Sequence, residues 1–194
     1  MATENKILYQ TLEDRDNPDE IENHGPYSCN KEPWFGEGYY FWDTFIQLAH
    51  WWGKIGYRSN YVIGRLFYPY NPENFFDITG ANPGHLEDLQ DCIKEYFGSL
   101  QAKYTISQVI ELMKERTNLL EVYQGIRGRG IHITDIPEND IPLKTGKHYY
   151  RFELFPPIQI CIFDKSSFQK YQFKIVWPKH YICDDAPDMS TMTI

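Results

Sequence analysis

Long apolar runs, paired cysteines and an excess of basic charge are all missing from this sequence of 194 residues. No apolar run approaches the roughly 20 residues that a membrane-spanning helix requires, so we expect no membrane partner. Lys and Arg number 19 against 27 Asp and Glu, which gives a formal net charge of -8. Broad, non-specific nucleic-acid binding needs a basic face that displaces counterions from phosphates, so the composition argues against that class of function.

The 4 cysteines are scattered along the chain and show no paired spacing. Residues 1–6 have neither the basic start nor the apolar stretch of a signal peptide, which favours a cytoplasmic protein with reduced thiols. Histidine and cysteine lie close together at His24 and Cys29 and again at His180 and Cys183. Neither pair has a second half with zinc-ligand spacing, so we expect no metal site.

Aromatic residues, in contrast, are abundant, with 15 Tyr, 12 Phe and 5 Trp. A chain of this size and composition can bury a sizeable core in one domain. We expect that domain to span residues 1–183, followed by a flexible tail at residues 184–194.

Apolar periodicity predicts an α+β fold. The N-terminal part is predicted to contain a short strand at residues 7–11, a long loop at 14–33 and an aromatic strand at 39–42. Asp43 or Thr44 then caps a helix that runs to about residue 52. A further strand is predicted at residues 61–67, ended by the Pro/Asn-rich residues 68–72.

The middle of the chain has helical signals, and the last third alternates as strands do. Asn82 followed by Pro83 is typical of a helix start, and Thr105 with Gln108 fits a capping box. We therefore predict a helical insertion or lid, packed on a β core, at residues 82–120. Period-two alternation predicts three late strands, at residues 150–154, 158–162 and 171–177.

Spacing alone identifies no P-loop, nucleophile elbow, zinc-protease motif or dinucleotide fingerprint. Three segments are informative together. They are Leu8-Tyr9-Gln10-Thr11, then Gly36-Glu37-Gly38-Tyr39-Tyr40-Phe41 with Leu48-Ala49-His50-Trp51, and lastly Ile158-Gln159-Ile160-Cys161-Ile162-Phe163-Asp164. In this order they resemble the L-x-H-G-[ST], G-x-G-x-Y-F…S-A-x-Y and N-E-Y-I-V-Y-D segments of ADP-ribosyltransferases of the diphtheria-toxin and poly(ADP-ribose) polymerase branch.

The resemblance implies a split antiparallel β-sandwich, in which two facing sheets form a cleft for NAD. It implies that the nicotinamide ring lies between Tyr40 and Trp51. Gln10 takes the place of the family histidine that hydrogen-bonds the ribose, and Gln159 that of the glutamate that binds the ribose 2′-hydroxyl. The implied catalytic residues are Gln10, Tyr40 and Gln159, and the implied NAD-binding residues are Gln10, Thr11, Gly38, Tyr40 and Trp51.

The neutral side chain of Gln159 changes the expected chemistry. Cleavage of the nicotinamide glycosidic bond develops positive charge on the ribose, which a carboxylate would stabilise. Losing one such contact costs roughly 3–4 kcal/mol, or about a hundred- to a thousandfold in rate. Gln10, in contrast, both donates and accepts hydrogen bonds as an imidazole does. We therefore expect NAD binding to survive these substitutions better than fast catalysis does.

The first functional hypothesis is a toxin-like, NAD-dependent mono-ADP-ribosyltransferase that acts on a macromolecular acceptor, most simply a protein. The alternative is a catalytically inactive ADP-ribosyltransferase-like module that binds NAD, ADP-ribose or a protein partner. A third hypothesis is an interaction domain that docks a partner through residues 82–120. Arg65 or Arg127 is a candidate for the pyrophosphate of NAD.

Several of these side chains also have an ordinary structural interpretation. Tyr40 and Trp51 are typical core aromatics, and His50 on an apolar helix is more typical of a satisfied histidine than of a base. Glu153 is an alternative carboxylate, which also fits a surface ion pair, and His148 is a candidate near an acceptor site.

Overall fold

The computed structural model describes residues 3–29, 33–100, 103–130, 136, 139–142, 151–168 and 170–182. This part of the chain contains strands and α-helices in mixed order, so the predicted α+β class is confirmed. The strands are β1 (Glu4–Glu13), β2 (Tyr39–Asp43), β3 (Tyr61–Tyr70), β4 (Phe75–Asp77), β5 (Gly125–Arg129), β6 (Asp140–Pro142), β7 (Arg151–Glu153), β8 (Ile158–Ile162) and β9 (Phe173–Trp177). The helices are α1 (Pro18–His24), α2 (Ile46–Gly56), α3 (Pro83–Phe97), α4 (Ile106–Arg116) and α5 (Leu119–Val122).

Seven of these strands form one sheet in the order β4-β5-β8-β2-β1-β3-β9, and β6 pairs separately with β7. Neighbouring strands of the large sheet are antiparallel except β4 and β5, which are parallel. All seven strands of this sheet are joined by backbone pairing, and the division into two facing sheets stays a prediction. The pairing is continuous because β1 bonds to both β2 and β3, and β2 bonds in turn to β8.

The two faces of this sheet carry different side chains. We call the face of Tyr40, Trp42 and Gln159 the front face, and the face of Leu8 and Phe41 the back face, since paired residues point to the same side and successive residues to opposite sides. The back face forms one buried cluster, which includes Ile21 of α1. The front face has two clusters, one of which contains the buried residues of α3, α4 and α5 and the other those of α2.

The helices predicted at residues 82–120 are present and pack on the sheet. The Asn82 side chain accepts a hydrogen bond from the backbone N–H of Gly84, and both bonds of the Thr105–Gln108 capping box are formed. Val109 and Ile110 are completely buried against β4 and β5. These helices therefore form a layer that is packed on the front face of the sheet. No helix within the described ranges is long and apolar enough to cross a membrane.

Three local predictions need correction. The segment expected to be a long loop contains α1, which opens on Pro18 and has acidic residues in its first turn, a favourable arrangement at a helix N-terminus. Strand β3 continues through Pro69, which lies beyond the residues that pair with β9 and so has one side without a partner strand. Helix α2 starts after Phe45, without a side-chain cap, because the Asp43 carboxylate is held by Lys6 and Arg127.

Candidate functional site

The three segments that carry the family resemblance lie on neighbouring strands. Gln10 is on β1, Tyr40 on β2 and Gln159 on β8, and these strands are adjacent in the order β8-β2-β1. Tyr40 pairs with Cys161 of β8, and the adjacent position on the same face, Trp42, pairs with Gln159. The structure therefore brings Tyr40 and Gln159 to the same face of the sheet.

Gln10 lies on the opposite face. Tyr9 pairs with Trp42 and so shares the front face, and the next residue along the strand, Gln10, points to the back. Its side-chain amide accepts a hydrogen bond from the backbone N–H of Tyr27 (2.8 Å) and donates to the backbone oxygens of Tyr27 (2.8 Å) and Tyr40 (3.2 Å). Gln10 therefore holds the segment after α1 against the sheet, and the structure does not bring it together with Gln159.

The hydroxyl group of Tyr40 is also engaged within the protein. It accepts a hydrogen bond from the backbone N–H of Phe35 (2.8 Å) and donates to the backbone oxygen of Gly36 (2.8 Å). The ring stacks with Phe35 at 6.1 Å between centroids, and burial raises the pKa of the phenol far above its usual range. Tyr40 thus positions the glycine turn that precedes β2. Gly38 is required in this turn because a Cβ there would lie 2.5 Å from the Sγ of Cys161.

Trp51, a residue of helix α2, and Thr11 of β1 lie where this helix packs on the front face. The hydroxyl of Thr11 donates to the backbone oxygen of Ala49 (2.8 Å), which ties β1 to α2. Trp51 is only 9% exposed and contacts Trp42 edge-to-face, with centroids 6.1 Å apart at 84°. Trp51 belongs to the cluster under α2, whereas Tyr40 packs with the cluster under α3 and α4, so the described rings of Tyr40 and Trp51 do not stack on each other.

A row of four side chains crosses the front face from β8 to β3. Gln159 pairs with Trp42, Trp42 with Tyr9, and Tyr9 with Arg65. Burial raises the pKa of the Tyr9 phenol, and the neighbouring guanidinium of Arg65 offsets part of this rise. Tyr9 and Trp42 were not among the site residues predicted from the sequence. Their shared face with Gln159 follows from strand register, for which the only sequence signal was the period-two spacing of Tyr40 and Trp42.

Buried polar atoms without a partner are concentrated around this row. Within the described ranges, five buried side-chain atoms have no hydrogen-bond partner, and four of them belong to residues on or over the front face. These four are Trp51 Nε1, Arg65 Nε, Asn139 Nδ2 and Gln159 Oε1. Such atoms are costly to bury, so a site with several of them fits a polar ligand that supplies the missing bonds.

Asn139 reaches the row through two aromatic rings. Its Oδ1 accepts a hydrogen bond from the backbone N–H of Phe155 (2.6 Å), and the Phe155 ring lies 5.4 Å from the ring of Phe45, between centroids. Both rings pack on the Trp42 cluster, as does Tyr9. Asn139 is itself completely buried, so its unpartnered Nδ2 is shielded from water.

The structure separates the two arginines that were candidates for a pyrophosphate. Arg127 lies on the back face, where its Nε contacts Asp43 (3.0 Å) and its Nη1 contacts Asp77 (2.9 Å). Both carboxylates are at least nine-tenths buried, so the charge of Arg127 is neutralised within the protein. Arg65 has no such carboxylate partner among the described residues; its guanidinium lies over the ring of Phe67 at 4.7 Å.

The remaining sequence candidates have local roles. His50 Nδ1 lies 2.9 Å from the hydroxyl of Tyr61, and burial lowers the pKa of this imidazole. Glu153 forms an ion pair with Arg129. His148 and Cys183 lie outside the described residues. Where the structure describes the chain, His, Cys, Asp and Glu side chains form no cluster that suits a metal ion.

A groove of about 460 Å³ lies at the C-terminal end of β1. Its lining comes from β1, the loop between β1 and α1, α1, the segment after α1 and Tyr57, and does not include Tyr40, Trp51 or Gln159. The groove is therefore separate from the row on the front face.

Comparisons with protein-family models, with curated proteins and with solved structures found no match for this chain.

Proposed function

We propose that this protein is an ADP-ribosyltransferase-like binding module that holds ADP-ribose or NAD on the front face of its sheet and does not cleave the glycosidic bond at the rate of a transferase. The observation that supports this most is the group of four unpartnered buried atoms around the row. Three of them are donors and Gln159 Oε1 is an acceptor, a combination that suits a ligand with both anionic oxygens and hydroxyl groups. Arg65 would then meet the diphosphate and Gln159 a ribose hydroxyl.

The order of the strands supports the finer fold that we propose, an ADP-ribosyltransferase-like one. The three segments of the resemblance are far apart in sequence but adjacent in the order β8-β2-β1. Chance matches of short sequence segments would give no reason for the three strands to be neighbours. The adjacency of these strands therefore supports the resemblance independently of residue identity.

The surroundings of Gln159 favour binding over catalysis. Its nearest described positions on the same face are Cys161 on its own strand and its two register partners, Trp42 and Gly128. None of these side chains is a carboxylate that could replace the missing negative charge. Positive charge on a ribose would thus develop here without the stabilisation that speeds glycosidic cleavage.

The test is calorimetric titration of the purified protein with ADP-ribose and with NAD, beside a direct assay of nicotinamide release. We expect at least one ligand to bind. Arg65→Ala should weaken binding by about tenfold or more, since a hydrogen bond to a charged group contributes about 1.5–3 kcal/mol. Gln159→Ala should weaken it by about two- to tenfold, since a hydrogen bond between neutral groups contributes about 0.5–1.5 kcal/mol. The exposed residues Gln90 and Arg116 provide matched controls. Gln90→Ala and Arg116→Ala should bind as the unmodified protein does.

Three other outcomes would contradict the proposal, each in a different part. Nicotinamide release that disappears in Gln159→Ala would overturn the non-catalytic proposal in favour of a mono-ADP-ribosyltransferase toward a macromolecular acceptor. Absence of binding by both ligands would reject the module as proposed and leave the interaction domain. Binding that is unchanged in both Gln159→Ala and Arg65→Ala would reject the front face as the site.

A further inference from the structure

Trp51, the aromatic side chain that the resemblance places against the nicotinamide ring, already packs against Trp42. Trp42 lies on the same face as Tyr40, one strand repeat further along β2, and is only 3% exposed. Its indole meets Trp51 edge-to-face, with the ring centroids 6.1 Å apart. Trp51 is itself 9% exposed, so little of its surface is left for a further ring.

The polar positions beside this filled region are not satisfied by the protein. Gln159 Oε1 lies on one side of Trp42, and Arg65 Nε lies beyond Tyr9 on the other. The two residues are three strand spacings apart, about 14 Å between Cα atoms, a separation that their long side chains can shorten. The aromatic side chains of the site thus pack on one another, whereas Gln159 Oε1 and Arg65 Nε still lack hydrogen-bond partners.

We infer that this site selects ADP-ribose and related sugar diphosphates over intact NAD, and that Trp42 is the residue that excludes the nicotinamide base. The inference rests on the proposed function, because it concerns the same face of the sheet. A ligand whose terminal ribose carries only hydroxyl groups satisfies Gln159 without displacing the indole. A ligand with a base on that ribose must displace the Trp42 indole from its packed position. Such overpacking is energetically unfavourable.

Competition titration of the unmodified protein tests the selectivity without any substitution. ADP-ribose should bind at least about tenfold more tightly than NAD, which is within the range that overpacking of a filled site costs. Nicotinamide mononucleotide, which carries the base on its ribose and a single phosphate, should not displace ADP-ribose at comparable concentration. These readouts are affinities and do not depend on turnover.

Trp42→Ala and the milder Trp42→Leu then test the role of Trp42 in this selectivity. Both should reduce the preference for ADP-ribose to within about threefold by raising the affinity for NAD. Trp52→Ala is the matched control, because Trp52 is 37% exposed and does not belong to the buried cluster that contains Trp42 and Trp51. This variant should retain the preference of the unmodified protein.

Failure of the inference and failure of the proposed function give different results. Equal affinities for ADP-ribose and NAD in the unmodified protein would overturn the inference while the binding module stands. Displacement of ADP-ribose by nicotinamide mononucleotide would do the same, even if no Trp42 variant folds. Absence of binding by every ligand would overturn the proposed function itself.

Discussion

At the scale of single residues, the two glutamines of the predicted site have opposite environments although both are buried. The amide of Gln10 makes three hydrogen bonds to backbone groups, whereas the Oε1 of Gln159 has no partner among the described residues. Gln10→Ala should therefore lower the free energy of unfolding by about 1–3 kcal/mol, because it leaves half-buried backbone groups of Tyr27 without partners. Gln159→Ala should change it by less than about 1 kcal/mol. Urea denaturation of both variants measures the difference.

Binding measurements on the same two variants make this prediction sharper. Gln159→Ala should lose affinity for ADP-ribose, while folded Gln10→Ala should retain most of it. The reverse pattern, with Gln10→Ala stable but unable to bind, would return Gln10 to the ligand site that the sequence predicted for it.

The reason why the sequence analysis assigned Gln10 to the site is physical. Alternation along β1 shows that Tyr9 and Gln10 point to opposite faces, but it does not show which of them faces Tyr40. That choice depends on the register between β1 and β2, and a slip of one residue exchanges the two faces. The shared face of Tyr40 and Gln159 was predictable only through the resemblance. The involvement of Tyr9 and Trp42 required the pairing itself.

At the scale of the secondary-structure elements, one buried ionic network joins four strands of the back face. Arg127 of β5 contacts Asp43 of β2 and Asp77 of β4, and Lys6 of β1 contacts Asp43 at 3.2 Å. Arg127→Ala should lower the free energy of unfolding by about 3–5 kcal/mol, because it leaves two buried carboxylates poorly compensated. Thermal or urea denaturation measures this loss.

Arg116→Ala is the control for the Arg127 variant, because Arg116 is exposed at the end of α4. It should alter the free energy of unfolding by no more than about 0.5 kcal/mol. If Arg127→Ala cost as little as its control, the network would behave as an exposed ion pair and would not stabilise the sheet.

The N-terminus of α4 gives a second prediction at this scale. The side chain of Thr105 accepts a hydrogen bond from the backbone N–H of Gln108 (3.2 Å), and the Gln108 side chain accepts one from the backbone N–H of Thr105 (2.9 Å). Thr105→Ala should cost about 0.5–2 kcal/mol in unfolding free energy, while Thr105→Ser, which keeps the hydroxyl, should cost much less. Equal losses in the two variants would show that the methyl group of Thr105, and not the cap, matters.

Elements with strong local signals were predictable, and those defined by distant partners were not. The caps at Asn82 and Thr105 marked α3 and α4 correctly because these bonds are made within a few residues. Strands β4 and β5 escaped prediction because they are short and their glycine and aspartate residues interrupt any alternation. Their partners, and the continuous pairing that makes one large sheet, depend on contacts between residues far apart in sequence.

At the scale of the whole molecule, the stability of the fold should fall in alkaline solution because buried acidic groups keep their protons. Burial raises the pKa of Tyr68 to about 12, and burial also raises the pKa of the Cys161 thiol to about 12. Tyr40 and Tyr70 shift in the same direction for the same reason. Above their ordinary pKa values, about 10 for tyrosine and about 8.5 for cysteine, the unfolded chain releases protons that the folded chain retains.

The sign of the effect follows from this difference in bound protons. The stabilisation is complete below the ordinary pKa values and is lost progressively as the pH rises toward the folded values near 12. Urea denaturation at pH 8, 10 and 11, as approximate set points above and below the tyrosine value, should therefore show a falling free energy of unfolding. Tyr68→Phe should make the decline shallower, because it removes one retained proton together with the Tyr68–Gln124 hydrogen bond, and it should lower stability modestly at neutral pH. A free energy of unfolding that stays constant across this range would mean that these groups are open to water in the folded protein.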